Sequence, residues 1–368
     1  MARRRWVPLL GKLLFSVVLT LVLFEAGLRW CGGIMPSRVG NFLYSAYNDS
    51  PYGIFAYDEL VPFKVMKKNF ATRNYFNGYF FDHQTDRYGF RNPAGLDHPD
   101  ILLLGDSFIF GHGVNEADTV RSFLSGMTGK AVYNLSVTGN GIREEYALLK
   151  TYLPVFRPQQ VFLFTFLNDP YDLVANRPAD DLARFPEQQL PFARLREYLL
   201  ARRNPRYLLT ERLCFASQLY RLSLYFASLS PSPAPRGNAA DTPPAQTAVP
   251  ASFMDFVASD SFGVVRPYFD RALTDLHQEC RDSGVVFQVV NLPTGFCGET
   301  VNRSIRDRFC GMLSDICRLR DIRYLDLSEG YGFTERDFLE HDGHFRRAGH
   351  QRLARVLAAH CIPPARQP

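Results

Sequence analysis

The sequence predicts an α/β domain built on a parallel sheet and tethered by one N-terminal transmembrane helix. Three observations predict it: an apolar segment directly behind a cluster of arginines, short aliphatic runs that recur from residue 100 onward, and amphipathic stretches of helical period between those runs. With 368 residues, 46% of them hydrophobic, the chain has enough apolar material for a large core. Its 42 basic and 37 acidic residues leave a net charge of +5 without a Lys/Arg stripe, so nucleic acid is not an expected partner.

The N-terminus begins MARRRW, and from Trp6 to Phe24 the only charge is Lys12. Those 19 residues are close to the length of about 20 that spans a bilayer as a helix. A secretory signal peptide shares this plan, but no small-x-small cleavage site follows Phe24, and Leu28, Arg29 and Trp30 before Cys31 do not suit a lipid-anchored cysteine. The reading favoured is an uncleaved anchor with its N-terminus in the cytoplasm and the remaining chain periplasmic or extracellular. That compartment permits disulfides. Cysteines stand at 31, 214, 280, 297, 310, 317 and 361 without a CxxC pair, so a zinc cage is unsupported and one or two bridges are expected in the C-terminal third.

Residues 1–30 are the cytoplasmic start and anchor, and residues 31–95 read as an aperiodic juxtamembrane lead-in packed on the main domain, ending in the turn-rich TDRYGFRNP. Residues 96–175 form the first half of the domain. Apolar runs predict strands at Ile101–Leu104, Ala131–Leu135 and Val161–Phe166, with a helix over Ile142–Phe156. Residues 176–254 interrupt it with helical patterns, read as a cap on the α/β core rather than a membrane-associating surface, and with a Pro/Ala/Ser-rich linker from about residue 229. Residues 255–368 complete the domain, with helices at Tyr268–Cys280 and Ile305–Leu319, strands at Val285–Asn291 and Tyr324–Leu327, and a last helix from near Arg347.

Four stretches carry candidate chemistry. In ILLLGDSFIFGHGV a buried strand stops at Gly105-Asp106-Ser107, where Ser107 is the candidate nucleophile; a serine there needs a base to remove its proton and fixed donors to hold an oxyanion. YNLSVTGNG ends a strand in a glycine turn whose Gly139 N–H is a candidate donor, and VFLFTFLNDP presents the Asn168 amide just past another strand. EHDGHFRRAGH gathers His341, Asp342 and His344 before the final helix. His341 and His344 invite a metal reading, but no further ligands or HExxH motif accompany them. His112, in the turn after the nucleophile, has two readings, a pocket-lining residue and a solvated loop residue, of which the second is favoured; His350 reads as part of a helix surface, and Cys297 and Cys310 as structural thiols.

These four stretches, in this order and at strand ends, resemble the blocks of the SGNH (GDSL-type) hydrolases, and most of all their membrane-anchored bacterial branch. The likeness covers about residues 85–175 and 255–360. It implies a three-layer α/β/α fold with a parallel, flavodoxin-like sheet, Ser107 as nucleophile, His344 as general base and Asp342 as its acidic partner. It also implies an oxyanion hole formed by the Ser107 N–H, the Gly139 N–H and the Asn168 side chain, and no cofactor. Two positions depart from the family pattern: Phe166 stands where the asparagine block has glycine, and the acid lies two residues before the histidine, the usual position three before being His341. The reaction implied is acyl transfer through a Ser107 ester, with water as acceptor in an esterase or deacylase acting on an acyl ester such as an O-acetylated envelope glycan. A sugar acceptor would make an O-acyltransferase, and a chain keeping the fold without turnover would be a binding or assembly protein.

Overall fold

The computed structural model describes residues 3–48, 53–57, 64–174, 204–229, 261–293, 299–340 and 342–362. At its centre is a five-stranded parallel sheet made of β5 (Ile101–Leu104), β6 (Val132–Asn134), β7 (Gln160–Thr165), β8 (Val286–Asn291) and β9 (Arg323–Asp326). The spatial order β6-β5-β7-β8-β9 reverses direction at β5, so the crevice between β5 and β7 at their carboxyl ends is a topological switch point, the usual ligand position in open α/β sheets.

The aliphatic runs are continuous because both faces of the sheet are covered, and alternate residues serve opposite faces. Leu102, Leu104, Tyr133, Val161, Leu163, Phe287 and Val289 join one core cluster with α5 (Ile142–Phe156), α9 (Ser261–Asp282) and α10 (Glu299–Leu319). Ile101, Leu103, Val132, Phe162, Phe164 and Val290 join the other with α4 (Val120–Thr128) and α11 (Arg347–His360). This is the three-layer arrangement expected. The strands match to within a residue or two, while α9 and α10 start several residues earlier than the sequence pattern indicates.

The segment before the sheet differs from the aperiodic lead-in expected. Behind α1 (Arg3–Trp30) come a short 3-10 turn, helix α2 (Ser37–Tyr44) and two antiparallel hairpins, β1 (Phe55–Tyr57) with β2 (Lys64–Met66) and β3 (Ala71–Phe76) with β4 (Tyr79–Gln84). Asn77 and Gly78 close the second hairpin, both at positive φ (45° and 101°), as a two-residue primed turn requires. The RYGFRNP turn then ties this segment to the domain. Its fully buried Arg91 donates to the carbonyls of Phe110 (3.2 Å), Gly111 (2.6 Å), Val114 (2.5 Å) and Asp82 (2.9 Å), clamping the loop that follows Ser107.

The helical insertion also departs from expectation. Its described part, α7 (Pro205–Ala216) and α8 (Gln218–Ser228), follows the short α6 (Asp169–Val174) in the chain, but its main contacts are with α1 and α2 rather than with the sheet. Polar groups explain that docking: Glu25 of α1 accepts from the start of α8, and Arg221 of α8 donates to the Leu43 carbonyl of α2. The Pro-rich linker lies outside the described residues, which stop at Leu229 just before it. No disulfide forms among the described cysteines; Cys280 and Cys317 sit in the apolar core between α9 and α10, where burial pushes both thiols up to about 12, and Cys297 is outside the described residues.

Candidate active site

β5 ends at Leu104, and the chain turns through Gly105 and Asp106 into the one-turn helix α3 (Ser107–Phe110). The turn is tight: a Cβ on Gly105 would meet Ile109 at 2.9 Å. Asp106 caps the turn by accepting from the Phe108 N–H (2.9 Å), leaving Ser107 half-buried at the first helical position above the switch point. Asn134 at the end of β6 steadies this turn through its amide, which donates to the Ile109 carbonyl (2.8 Å).

The short strand β11 (Asp342–Phe345), paired antiparallel with β10 (Phe338–Leu339), carries both partners. Residues two apart on a strand point to the same face, so the Asp-x-His spacing that departs from the family pattern aims Asp342 and His344 together. Ser107 Oγ lies 2.7 Å from His344 Nε2, and His344 Nδ1 contacts Asp342 Oδ1. A carboxylate only accepts, so Nδ1 carries the proton and Nε2 is free to accept from the serine hydroxyl. The other Asp342 oxygen accepts from Asn77 Nδ2 (2.8 Å), and Oδ1 also accepts the His344 backbone N–H (3.0 Å). Burial alone would raise the Asp342 carboxyl, but hydrogen bonding and charge from His344 together with the Asn77 amide hold it below its ordinary value.

The oxyanion candidates follow the ends of β6 and β7, the neighbours of β5 on either side. Gly139 lies in an exposed turn at φ 78°, and the preceding Thr138 is hydrogen-bonded to His112 (2.6 Å). The Asn168 side chain bonds Asp106, whose carboxyl burial pushes up. Phe166 does not shift the strand end, since β7 pairs in register with β8 through Thr165. Its ring instead lies 4.1 Å from Phe108, whose ring is 4.7 Å from His344, so it narrows the apolar wall behind the imidazole. His344 spends both ring nitrogens on Ser107 and Asp342, and His341 lies outside the described residues.

Two histidines differ from expectation. His112 is buried, its ring 4.6 Å from that of His344 and stacked on Phe76 at 4.4 Å, with its nitrogens bonded to Tyr47 Oη (2.5 Å) and Thr138 Oγ1. Burial, then the nearby His344, holds it well below its ordinary value, so it stays neutral, one nitrogen accepting and the other donating. His350 is fully buried on the inner face of α11 and accepts from the Val120 N–H (3.3 Å). Cys310 is half-buried, with its thiol pushed up to about 11 by burial, the opposite of an activated nucleophile.

Asn77, Tyr47, Phe76 and His112 are the site residues that motif reading misses. Asn77 is itself held by reciprocal bonds with Asn41 of α2: Asn41 Nδ2 donates to Asn77 Oδ1 (2.6 Å) and the Asn77 N–H donates to Asn41 Oδ1 (2.9 Å). Asn77→Gly keeps the positive φ of the hairpin while deleting the amide. If Asn77 positions Asp342, this change is expected to lower kcat about 10–100-fold, the usual effect of an outer-shell partner, with KM and melting temperature little changed. An unchanged kcat would remove Asn77 from the site.

No family model matches the chain, and no curated protein does. Among solved structures it is similar to a lipolytic protein of the G-D-S-L family from Desulfitobacterium hafniense (12% identity, covering 71% of this chain and 98% of that one, TM-score 0.39). It is also similar to the lipase/acylhydrolase from Enterococcus faecalis (13%, 73% and 98%, TM-score 0.38). A third is a psychrotrophic esterase from Pseudoalteromonas sp. (10%, 70% and 93%, TM-score 0.36).

Proposed function

We propose that this chain is an SGNH-type serine hydrolase that cleaves ester-linked acyl groups through Ser107. The observation that carries the reading is the unbroken line from Ser107 Oγ to His344 Nε2 (2.7 Å) and from His344 Nδ1 to the buried Asp342 carboxylate, at the carboxyl edge of a parallel sheet. His344 takes the hydroxyl proton as Ser107 attacks the ester carbonyl. The negative charge formed on the carbonyl oxygen is held by the Ser107 N–H, the Gly139 N–H and the Asn168 amide. Collapse of that intermediate breaks the ester C–O bond, and His344 returns its proton to the departing alcohol. Water, deprotonated by His344, then releases the acyl group and restores Ser107.

Helix α1 is long and apolar enough to cross a membrane. With Arg3, Arg4 and Arg5 held on the cytoplasmic side, the catalytic domain works outside the cytoplasmic membrane, where an O-acylated envelope glycan is a chemically suitable substrate. A sugar hydroxyl taking the acyl group in place of water would use the same residues.

A fluorophosphonate probe on the full chain in detergent tests the reading. Wild-type protein is expected to carry the label on Ser107 by peptide mass spectrometry, Ser107→Ala to carry none, and His344→Ala to label at least about a hundredfold more slowly for want of its base. Folded protein that stays unlabelled would instead support a binding or assembly role.

A further inference from the structure

The apolar stretch of α1 from Trp6 to Phe24 is 19 residues long, or about 28 Å at about 1.5 Å per residue, close to the roughly 30 Å of a hydrocarbon core. Glu25, the next residue, therefore marks the level at which the core ends. Its carboxylate accepts the N–H groups of Gln218 and Leu219 (both 2.9 Å) and the Ser217 hydroxyl (3.0 Å). Arg29, one turn further along, pairs with Glu25 (2.8 Å) and donates to the Ala216 carbonyl (2.7 Å). The junction between α7 and α8 is thus clamped to the anchor at the membrane boundary.

From that junction both helices expose large apolar side chains. On α7, Leu209 and Leu213 stand four apart and are 59% and 40% exposed. Phe226 of α8 and Leu229, three further on, are 59% and 50% exposed. The end of the anchor exposes Trp30 (91%), and the 3-10 turn behind it exposes Ile34 (82%). Exposed Arg206 stands three residues before Leu209 and exposed Arg212 next to Leu213, the pattern of side chains that reach from an apolar surface toward headgroups. Tryptophan at a helix end and paired apolar residues on short helices are what a water–lipid boundary selects.

We propose that α7 and α8, together with Trp30 and Ile34, form a platform that lies in the interfacial layer of the outer leaflet, with the lipid bilayer as its occupant. The inference rests on reading α1 as a membrane-spanning anchor. Its consequence concerns the catalytic edge. α8 is bonded to α2 through Arg221 and the Leu43 carbonyl, and Asn41 of α2 bonds the Asn77 that holds Asp342. A platform seated on the bilayer therefore fixes the attitude of the Ser107 site to the membrane surface, where a tether alone would let it swing.

The test is photocrosslinking from the full chain reconstituted in vesicles of phosphatidylethanolamine and phosphatidylglycerol. Benzoylphenylalanine replaces, one at a time, Leu209, Phe226, Phe15 within the anchor, and Leu319, an exposed apolar residue at the end of α10 (66% exposed). Lipid adducts are expected from positions 209, 226 and 15 and not from 319. Lipid adducts at 15 without any at 209 and 226, or adducts there to protein or to a second copy of the chain, would overturn the platform and leave the anchor standing. Absence of lipid adducts at 15 as well would refute the anchor and the platform with it. Far-UV circular dichroism of each variant checks independently that the domain is folded.

Discussion

Asp342→Asn is expected to lower kcat/KM for ester hydrolysis about ten-thousandfold at neutral pH, the magnitude that loss of the acid produces in serine triads, without unfolding the domain. The reason lies in how the carboxylate is used. One oxygen accepts from His344 and the other from Asn77 Nδ2 (2.8 Å), so both sides of the group face donors. An asparagine amide cannot accept on both sides. If its NH2 faces His344, Nδ1 must become the acceptor and the proton moves to Nε2, where it blocks acceptance from Ser107 Oγ. If its oxygen faces His344, its NH2 meets the NH2 of Asn77, two donors with no acceptor between them, and the imidazolium formed in the reaction still lacks a countercharge. Either way the serine loses its base while the backbone is untouched. Steady-state hydrolysis of an activated ester, with far-UV circular dichroism on the same samples, checks this. A fall of less than tenfold in a folded variant would mean that the acid lies elsewhere.

What the sequence reveals is the part of the site encoded by local pattern. A buried strand that halts at Gly105 and Asp106 states where Ser107 sits, because four aliphatics followed by a tight turn have few other solutions. The Asp-x-His spacing is legible too, once its residues are read on a strand rather than in a loop. The missed residues depend on contacts distant in sequence. Asn77 and Asp342 are 265 positions apart, and while Asn-Gly between aromatic runs announces a hairpin, nothing local states what the hairpin tip will touch. His112 is buried by Tyr47 and Phe76, both from the segment before the sheet, so a polarity rule for loop residues misplaces it. His350 is different: it precedes the buried Leu353, Ala354 and Leu357 by three, four and seven residues, so helical period alone puts it on the inner face of α11. Its polarity argued against the period, and the period prevails. The helical insertion shows the same weight of specific partners over composition, because the donors at the start of α8 are met by Glu25 rather than by anything on the sheet.

The fold is expected to lose stability steeply below about pH 6.5, and three buried histidines are the cause. Burial, together with the Arg91 charge, pushes His83 down to about 3; burial and its charged neighbours push His350 down to about 3; His112 is likewise held well below its ordinary value. Neither ring nitrogen of His83 has a hydrogen-bond partner among the described residues, and His350 Nε2 also lacks one, so a proton on either ring would leave a charge buried without a counterion. The unfolded chain protonates all three near pH 6.5 while the folded chain resists. Between the two values the unfolded state binds more protons, and stability falls as pH falls. His83 and His350 each approach a slope of about 1.4 kcal/mol per pH unit, so between pH 7 and 5 the two together withdraw about 4 kcal/mol, a large part of the stability of many domains, and His112 acts in the same direction. The lowered Asp342 carboxyl adds a loss of the same sign at lower pH, while Asp106 and Asp275, both raised by burial, act in the opposite direction. Melting temperature followed by circular dichroism is expected to be flat from pH 8 to 7 and to drop sharply toward pH 5. His83→Phe, which replaces the ring beside Phe70 and Phe110 with one that takes no proton, is expected to reduce that slope by about a third. A melting temperature that held constant down to pH 5 would show that these imidazoles find partners for a proton in the folded state.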